Sequence, residues 1–136
     1  MSFTPIKFDS GKVLELPMGS TVTLTKYAHC KMTSGYLADG AAGDNEAEYI
    51  ALETKTNSGA AGAAFALVLP IDETVQVEAL SQDTPVQATH VGNDYDFQSN
   101  VQLDLDATTD KVFHIDSIKS AANKIVVGHF NKPALA

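Results

Sequence analysis

Apolar and polar residues alternate one for one along the back of this chain, in short runs closed by turn residues. The clearest runs are Thr74–Leu80 (TVQVEAL), Val101–Leu105 (VQLDL), Lys111–Ile118 (KVFHIDSI) and Lys124–Phe130 (KIVVGHF). A period of two sets one row of side chains against a core and the other in water, so each run predicts a half-buried strand. Val86–Val91 (VQATHV) alternates in the same way and predicts a further strand, with Gly92–Asn100 (GNDYDFQSN) as the loop after it.

The front half gives the same kind of element. Lys12–Leu16 and Ser20–Tyr27 predict strands divided by a Pro17-Met18-Gly19 turn. In the second, Thr21, Thr23 and Thr25 share the solvent face, opposite Val22 and Leu24. Cys30–Leu37 predicts a strand that turns at Ser34-Gly35. Glu46–Thr54 fits a short helix or a strand, and the Asn57-Ser58-Gly59 turn that follows so soon favours the strand. Gly59–Ala64 (GAAGAA) reads as a flexible hairpin into a buried strand, Phe65–Leu69, ended by Pro70. It lacks the Gly-Lys-Ser/Thr ending of a phosphate-binding loop.

The expected fold is therefore all-β: a single small β-barrel, β-tulip-like or β-sandwich domain over residues 11–131. Residues 1–10 form an extended N-terminal arm and residues 132–136 a tail that Pro133 keeps out of any central strand. The arm has two readings. It is a first edge strand tucked onto the sheet, or it docks on a neighbouring subunit by strand addition. At 136 residues, with 44% hydrophobic side chains, the chain can bury a core without disulfides.

Charge narrows the function classes. The net charge is −8 and all nine basic residues are Lys. An acidic surface without Arg repels phosphate backbones and anionic membranes, so neither nucleic acid nor membrane is expected as a partner. A lone cysteine, Cys30, gives no intramolecular disulfide. Met1–Ser10 has no signal-peptide pattern, and the longest apolar stretch, Gly59–Pro70, is too short to span a bilayer. A non-secreted product free in solution is expected.

No catalytic cluster is legible. His29, His90, His114 and His129 are scattered singly. His29 and Cys30, adjacent on a strand, point to opposite faces. His114 and His129 become cross-strand neighbours if the last two strands pair, which supplies two nitrogens at most. Asp104, Asp106 and Asp110 lie within seven residues, but a helix–loop–helix calcium loop counted from Asp104 needs Gly and Glu where Thr109 and Ile115 stand. Asn93, Asp94 and Asp96 form a second acidic loop. Solvated turns are the expectation for both, with no catalytic residue, metal or cofactor.

Several stretches in order resemble the head-decoration, or capsid-cement, proteins of tailed bacteriophages: Met32–Leu37 (MTSGYL), Ala51–Gly59 (ALETKTNSG), Asp72–Leu80 with Ser81–Pro85, His90–Asp96 (HVGNDYD), Phe113–Asp116 and Lys124–Phe130. The resemblance implies a β-barrel or β-tulip-like domain on the outer capsid surface, often trimeric, that bridges major capsid protein subunits of the virion. It implies no catalytic residues. Phe3, Ile6 and Phe8 in the arm, then Gly59 and Gly62 in the small-residue loop, are the expected interface positions. Removing residues 1–9 is then expected to abolish docking and leave the domain folded. Three alternatives stand beside this. One is another phage structural module of the tail tube, baseplate or fibre. Another is a carbohydrate-binding β-sandwich using Tyr36, Tyr95 and Phe97 as its platform. The third is an enzyme, whose sign is His114, His129 and an acid packed around an open pocket.

Overall fold

A computed structural model describes residues 2–44, 47–72 and 74–131. Among these, thirteen short strands, one 3₁₀ turn and one helical turn make an all-β fold. The larger sheet joins β1 (Phe3–Lys7), β9 (Gln76–Leu80), β10 (Asp94–Phe97), β11 (Leu103–Asp104), β12 (Phe113–Ser120) and β13 (Ile125–Phe130). Its order is β1-β9-β13-β12-β10-β11, every pairing is antiparallel, and it curls as a half-barrel. A second sheet has the order β2-β8-β6-β4-β5, from Leu14–Pro17, Phe65–Pro70, Tyr49–Ala51, His29–Thr33 and Tyr36–Asp39. A ribbon of β3 (Thr23–Leu24) and β7 (Lys55–Thr56) completes the fold.

Alternation decides which residues meet. The inward row of the larger sheet (Phe3, Val77, Ala79, Tyr95, Phe97, Phe113, Ile115, Val126 and Phe130) packs on Ile50 and Leu69 of the second sheet. The other face of that second sheet buries Cys30, Tyr49, Ala51, Ala66 and Val68 with Met18, Leu24 and Leu37. Strand β6 lies between the two cores, so all three of its residues are buried. That explains the ambiguity of its sequence: a strand covered on both faces shows no alternation.

The arm is an edge strand. β1 pairs with β9, Phe3 opposite Ala79, and Phe3 is fully buried. Ile6 and Phe8 stand 43% and 41% exposed. Two predicted elements change type. Gln87–His90 is a single helical turn, not a strand. The Val86 N–H donates to His90 Nδ1 at 2.8 Å and the His90 N–H returns to the Val86 carbonyl, so local polar contacts close the turn. The segment after it, read as a loop, contains β10. Tyr95 and Phe97 of β10 are buried, so they offer no exposed platform to a sugar. Strand β8 is half-buried where a fully buried strand was expected: Phe65 and Leu67 point outward.

The Gly59–Ala64 loop is pinned, not free. Asn57, 2% exposed, shares its amide N–H groups among the carbonyls of Met18, Gly19 and Ala60 at 2.9–3.2 Å, and its Oδ1 accepts from the Gly59 N–H. Asn57→Ala removes all four of these hydrogen bonds, although each carbonyl keeps a backbone N–H partner, and is expected to cost about 2 kcal/mol. Urea unfolding of the variant measures this. The tail, residues 132–136, lies outside the described residues.

Candidate functional site

The outward face of the larger sheet holds a polar row set by register. Asp94 on β10 pairs with His114 on β12, and His114 pairs with His129 on β13. Gln76 on β9 and Lys7 on β1 pair in turn. Asp116 follows His114 by two residues and stands at the bulge itself, where the ladder shifts register between Ile115 and Ser117. Such bulges re-aim side chains at sheet surfaces. The β12–β13 approach is close: a Cβ on Gly128 would lie 1.9 Å from the His114 carbonyl oxygen, so only Gly fits there.

The side chains on this row touch. His114 Nδ1 lies 2.8 Å from Asp94 Oδ1, and its Nε2 lies 3.8 Å from Asp116 Oδ1. His129 Nδ1 lies 3.2 Å from Asp116 Oδ2. The two imidazole centroids are 5.1 Å apart. Asp94 also accepts from the Asn131 amide at 2.8 Å. Burial works to raise the Asp94 carboxyl, but the hydrogen bonds from Asn131 and His114 prevail and hold it below the usual carboxylate range. An open cleft of about 210 Å³ adjoins the row, lined by Lys7, Thr74, Val75, Gln76, Asp116 and His129. The Thr74 hydroxyl in that cleft donates to Asp72, not to His129.

The remaining candidates separate. Ile6 and Phe8 are exposed, whereas Phe3 belongs to the core. Gly59 is exposed, and Gly62, at φ +84°, lies against the Tyr36 ring. Asp96 is a buried anchor: its carboxylate accepts from the N–H groups of Thr109, Asp110 and Lys111 at 2.8–3.1 Å. Asp110 is thereby drawn towards Asp96. Asp104 and Asp106 instead gather with Asp83, their carboxylate oxygens within 4.8 Å of one another. Asp83 and Asp104 already accept from the Leu105 and Asp106 N–H groups.

His29 and Cys30 diverge as strand geometry demands. Cys30 is buried in the smaller core and its thiol is pushed up to about 12 by burial and then by Asp39 and Glu48, which leaves it unreactive. His29 stacks on Phe97 in the larger core, centroids 3.7 Å apart. The residues that sequence reasoning missed at the His114–His129 pair are Asp94 and Asp116. Asp94 lay in a segment read as a loop, and for Asp116 the i, i+2 spacing from His114 on one predicted strand was the available signal. Comparison with protein-family models, with curated proteins and with solved structures finds no match to this chain.

Proposed function

We propose that this all-β chain is a structural virion protein: it binds the outer surface of an assembled phage capsid and stabilises the shell by bridging neighbouring capsid subunits. The observation that carries this reading is a pair of exposed apolar side chains on one face of β8: Phe65 and Leu67 stand 45% and 40% exposed. Leu14 on the neighbouring β2 is 41% exposed but belongs to the opposite face, since it pairs with the buried Val68. Ile6 and Phe8, at the end of β1 in the larger sheet, form a separate exposed apolar pair. Single exposed apolar residues are ordinary on a protein surface, but two large ones two residues apart on one strand face fit a contact with another protein. The pinned Gly59–Ala64 loop leads directly into Phe65.

Cement action needs no chemistry. A protein that binds only the assembled shell stabilises that state by its binding free energy, repeated over many sites. Purified protein mixed with empty phage heads is expected to decorate them at local three-fold positions in electron micrographs, as trimers on the shell. A Phe65→Ser/Leu67→Ser variant is expected to leave the heads bare while keeping its circular-dichroism spectrum. Bare heads with the folded wild-type chain count against the proposal, and hexameric rings in solution favour the tail-tube alternative.

One observation favours a second reading. His129 and Asp116 line an open cleft, with His114 beside them. Against it, among the described residues the one hydroxyl lining that cleft is turned to Asp72 and neither imidazole holds a nucleophile. Substrate turnover by the isolated chain, abolished in His129→Ala, decides for this reading.

A further inference from the structure

We propose that His114, Asp116 and His129 form a binding site for a divalent transition-metal ion of the zinc class, with Asp94 orienting His114. The proposal is independent of the capsid reading. It starts from donor chemistry: two imidazoles and a carboxylate are a ligand set for zinc-like ions and a poor one for calcium or magnesium, which take mostly oxygen.

The tautomer follows from the contacts. Asp94 Oδ1 accepts from Nδ1–H of His114 at 2.8 Å, which leaves a lone pair on Nε2. With the ring neutral, that nitrogen faces Asp116 Oδ1 at 3.8 Å, a place for a cation between two acceptors, for which a metal ion competes with a second ring proton. A carboxylate behind a metal-binding imidazole is the usual way such a ring is held and its basicity raised. Asn131 holds Asp94 in turn, so the support extends one residue further.

Geometry defines what binding requires. With bonds of about 2.0–2.1 Å, tetrahedral ligand atoms sit about 3.3 Å apart. His129 Nδ1 lies 3.2 Å from Asp116 Oδ2 and His114 Nε2 lies 3.8 Å from Asp116 Oδ1, so each imidazole approaches a different oxygen of one carboxylate. The three donors do not all lie within 4.8 Å of one another, so an ion has to draw the two rings inward by side-chain rotation. The open cleft beside Asp116 and His129 gives the ion a path. Lys7 also lines the cleft, and its single charge is outweighed by those of Asp94 and Asp116.

Titration calorimetry of the full chain with Zn²⁺ alone is the test. One ion per chain is expected, with affinity at least tenfold weaker in His114→Ala/His129→Ala and about 10–100-fold weaker in Asp94→Asn. These side chains are partly exposed on the outward face, so the variants are expected to keep the wild-type circular-dichroism spectrum. Should the double variant fail to fold, electron paramagnetic resonance of the wild type loaded with Cu²⁺ answers instead. Nitrogen coupling from two imidazoles supports the site, and an oxygen-only spectrum overturns it. No binding, unchanged affinity in the folded double variant, or binding lost only in Asp104→Asn, which assigns the ion to the acidic loop, also overturns it.

Discussion

Phe3→Ala is expected to lower stability by about 3–5 kcal/mol, the usual cost of emptying a fully buried aromatic site. Phe3 lies at the centre of an aromatic group, with ring centroids 5.4 Å from Phe130, 5.6 Å from Phe97, 5.8 Å from His29 and 6.1 Å from Phe113. Edge-to-face and tilted pairs of this kind add to the area term. The backbone on either side is held as well: Phe3 donates to the Tyr27 carbonyl, and the Ser2 carbonyl accepts from the Leu80 N–H. Chemical denaturation should show the midpoint falling with little change in slope, because the same surface unfolds. The same burial reverses the expectation for removal of residues 1–9. That deletion takes a core aromatic and an edge strand with it, so it is expected to unfold the chain rather than free it of an arm. Ile6→Ser and Phe8→Ser are the substitutions that probe this segment as a contact surface, since both side chains are exposed. A Phe3→Ala variant as stable as the wild type contradicts the assignment of β1 to the sheet.

The strands that could be read from sequence are those with one wet face. β9 and β13 alternate cleanly, and β12 does so up to its bulge at Asp116, because the larger sheet has its core on one side and water on the other. The hairpin at Ser34-Gly35 was equally legible, and both residues take positive φ, 52° and 87°. Where the alternation is broken by a buried polar group, the reading fails. β10 carries Asp96 between Tyr95 and Phe97, and all three are buried. A sequence reader sees an acid among aromatics and infers a loop, because the three backbone N–H groups that satisfy that acid come from residues 109–111. β3 shrinks to two residues for another reason: Thr21 and Tyr27 have φ of 60° and 67°, which no strand accommodates.

The candidate metal cluster was half legible. His114 and His129 become neighbours once the last two strands are paired, and the register sets them directly opposite. Asp94 was hidden because its strand was read as a loop. The exposed pair Phe65 and Leu67 was hidden because Phe65–Leu69 is apolar throughout and looks buried on both faces. Their cross-strand partners on β2 are Pro17 and Glu15, so that end of the face is not covered by core residues.

Acid is expected to weaken the fold through His29, by about 3 kcal/mol in all. The ring is fully buried, and its Nε2–H donates to the Ser99 carbonyl at 3.1 Å. Among the described residues Nδ1 has no hydrogen-bond partner, and the carboxylate of Asp44, 3.9 Å away, is itself engaged by Lys31 at 2.7 Å. Room to move is lacking, since a Cβ on Gly40 would lie 2.2 Å from Nδ1. Desolvation therefore dominates, outweighing the Ser99 bond and the Asp44 charge, and lowers the pKa from 6.5 to about 4. The folded state keeps the ring neutral while the unfolded chain protonates it near pH 6.5, so the unfolded state binds the extra proton. Stability from this residue is complete above pH 6.5, declines by about 1.4 kcal/mol per unit as pH falls, and levels off below about 4. Unfolding free energies measured in urea from pH 7.5 to 3.5 should show this slope in the wild type. In His29→Gln, which keeps a donor for Ser99 but cannot titrate, the slope over that window should be smaller by the same amount. The comparison of slopes, not of absolute stabilities, isolates His29 from the other histidines. Parallel curves for the two proteins contradict a buried neutral imidazole at the junction of the two sheets.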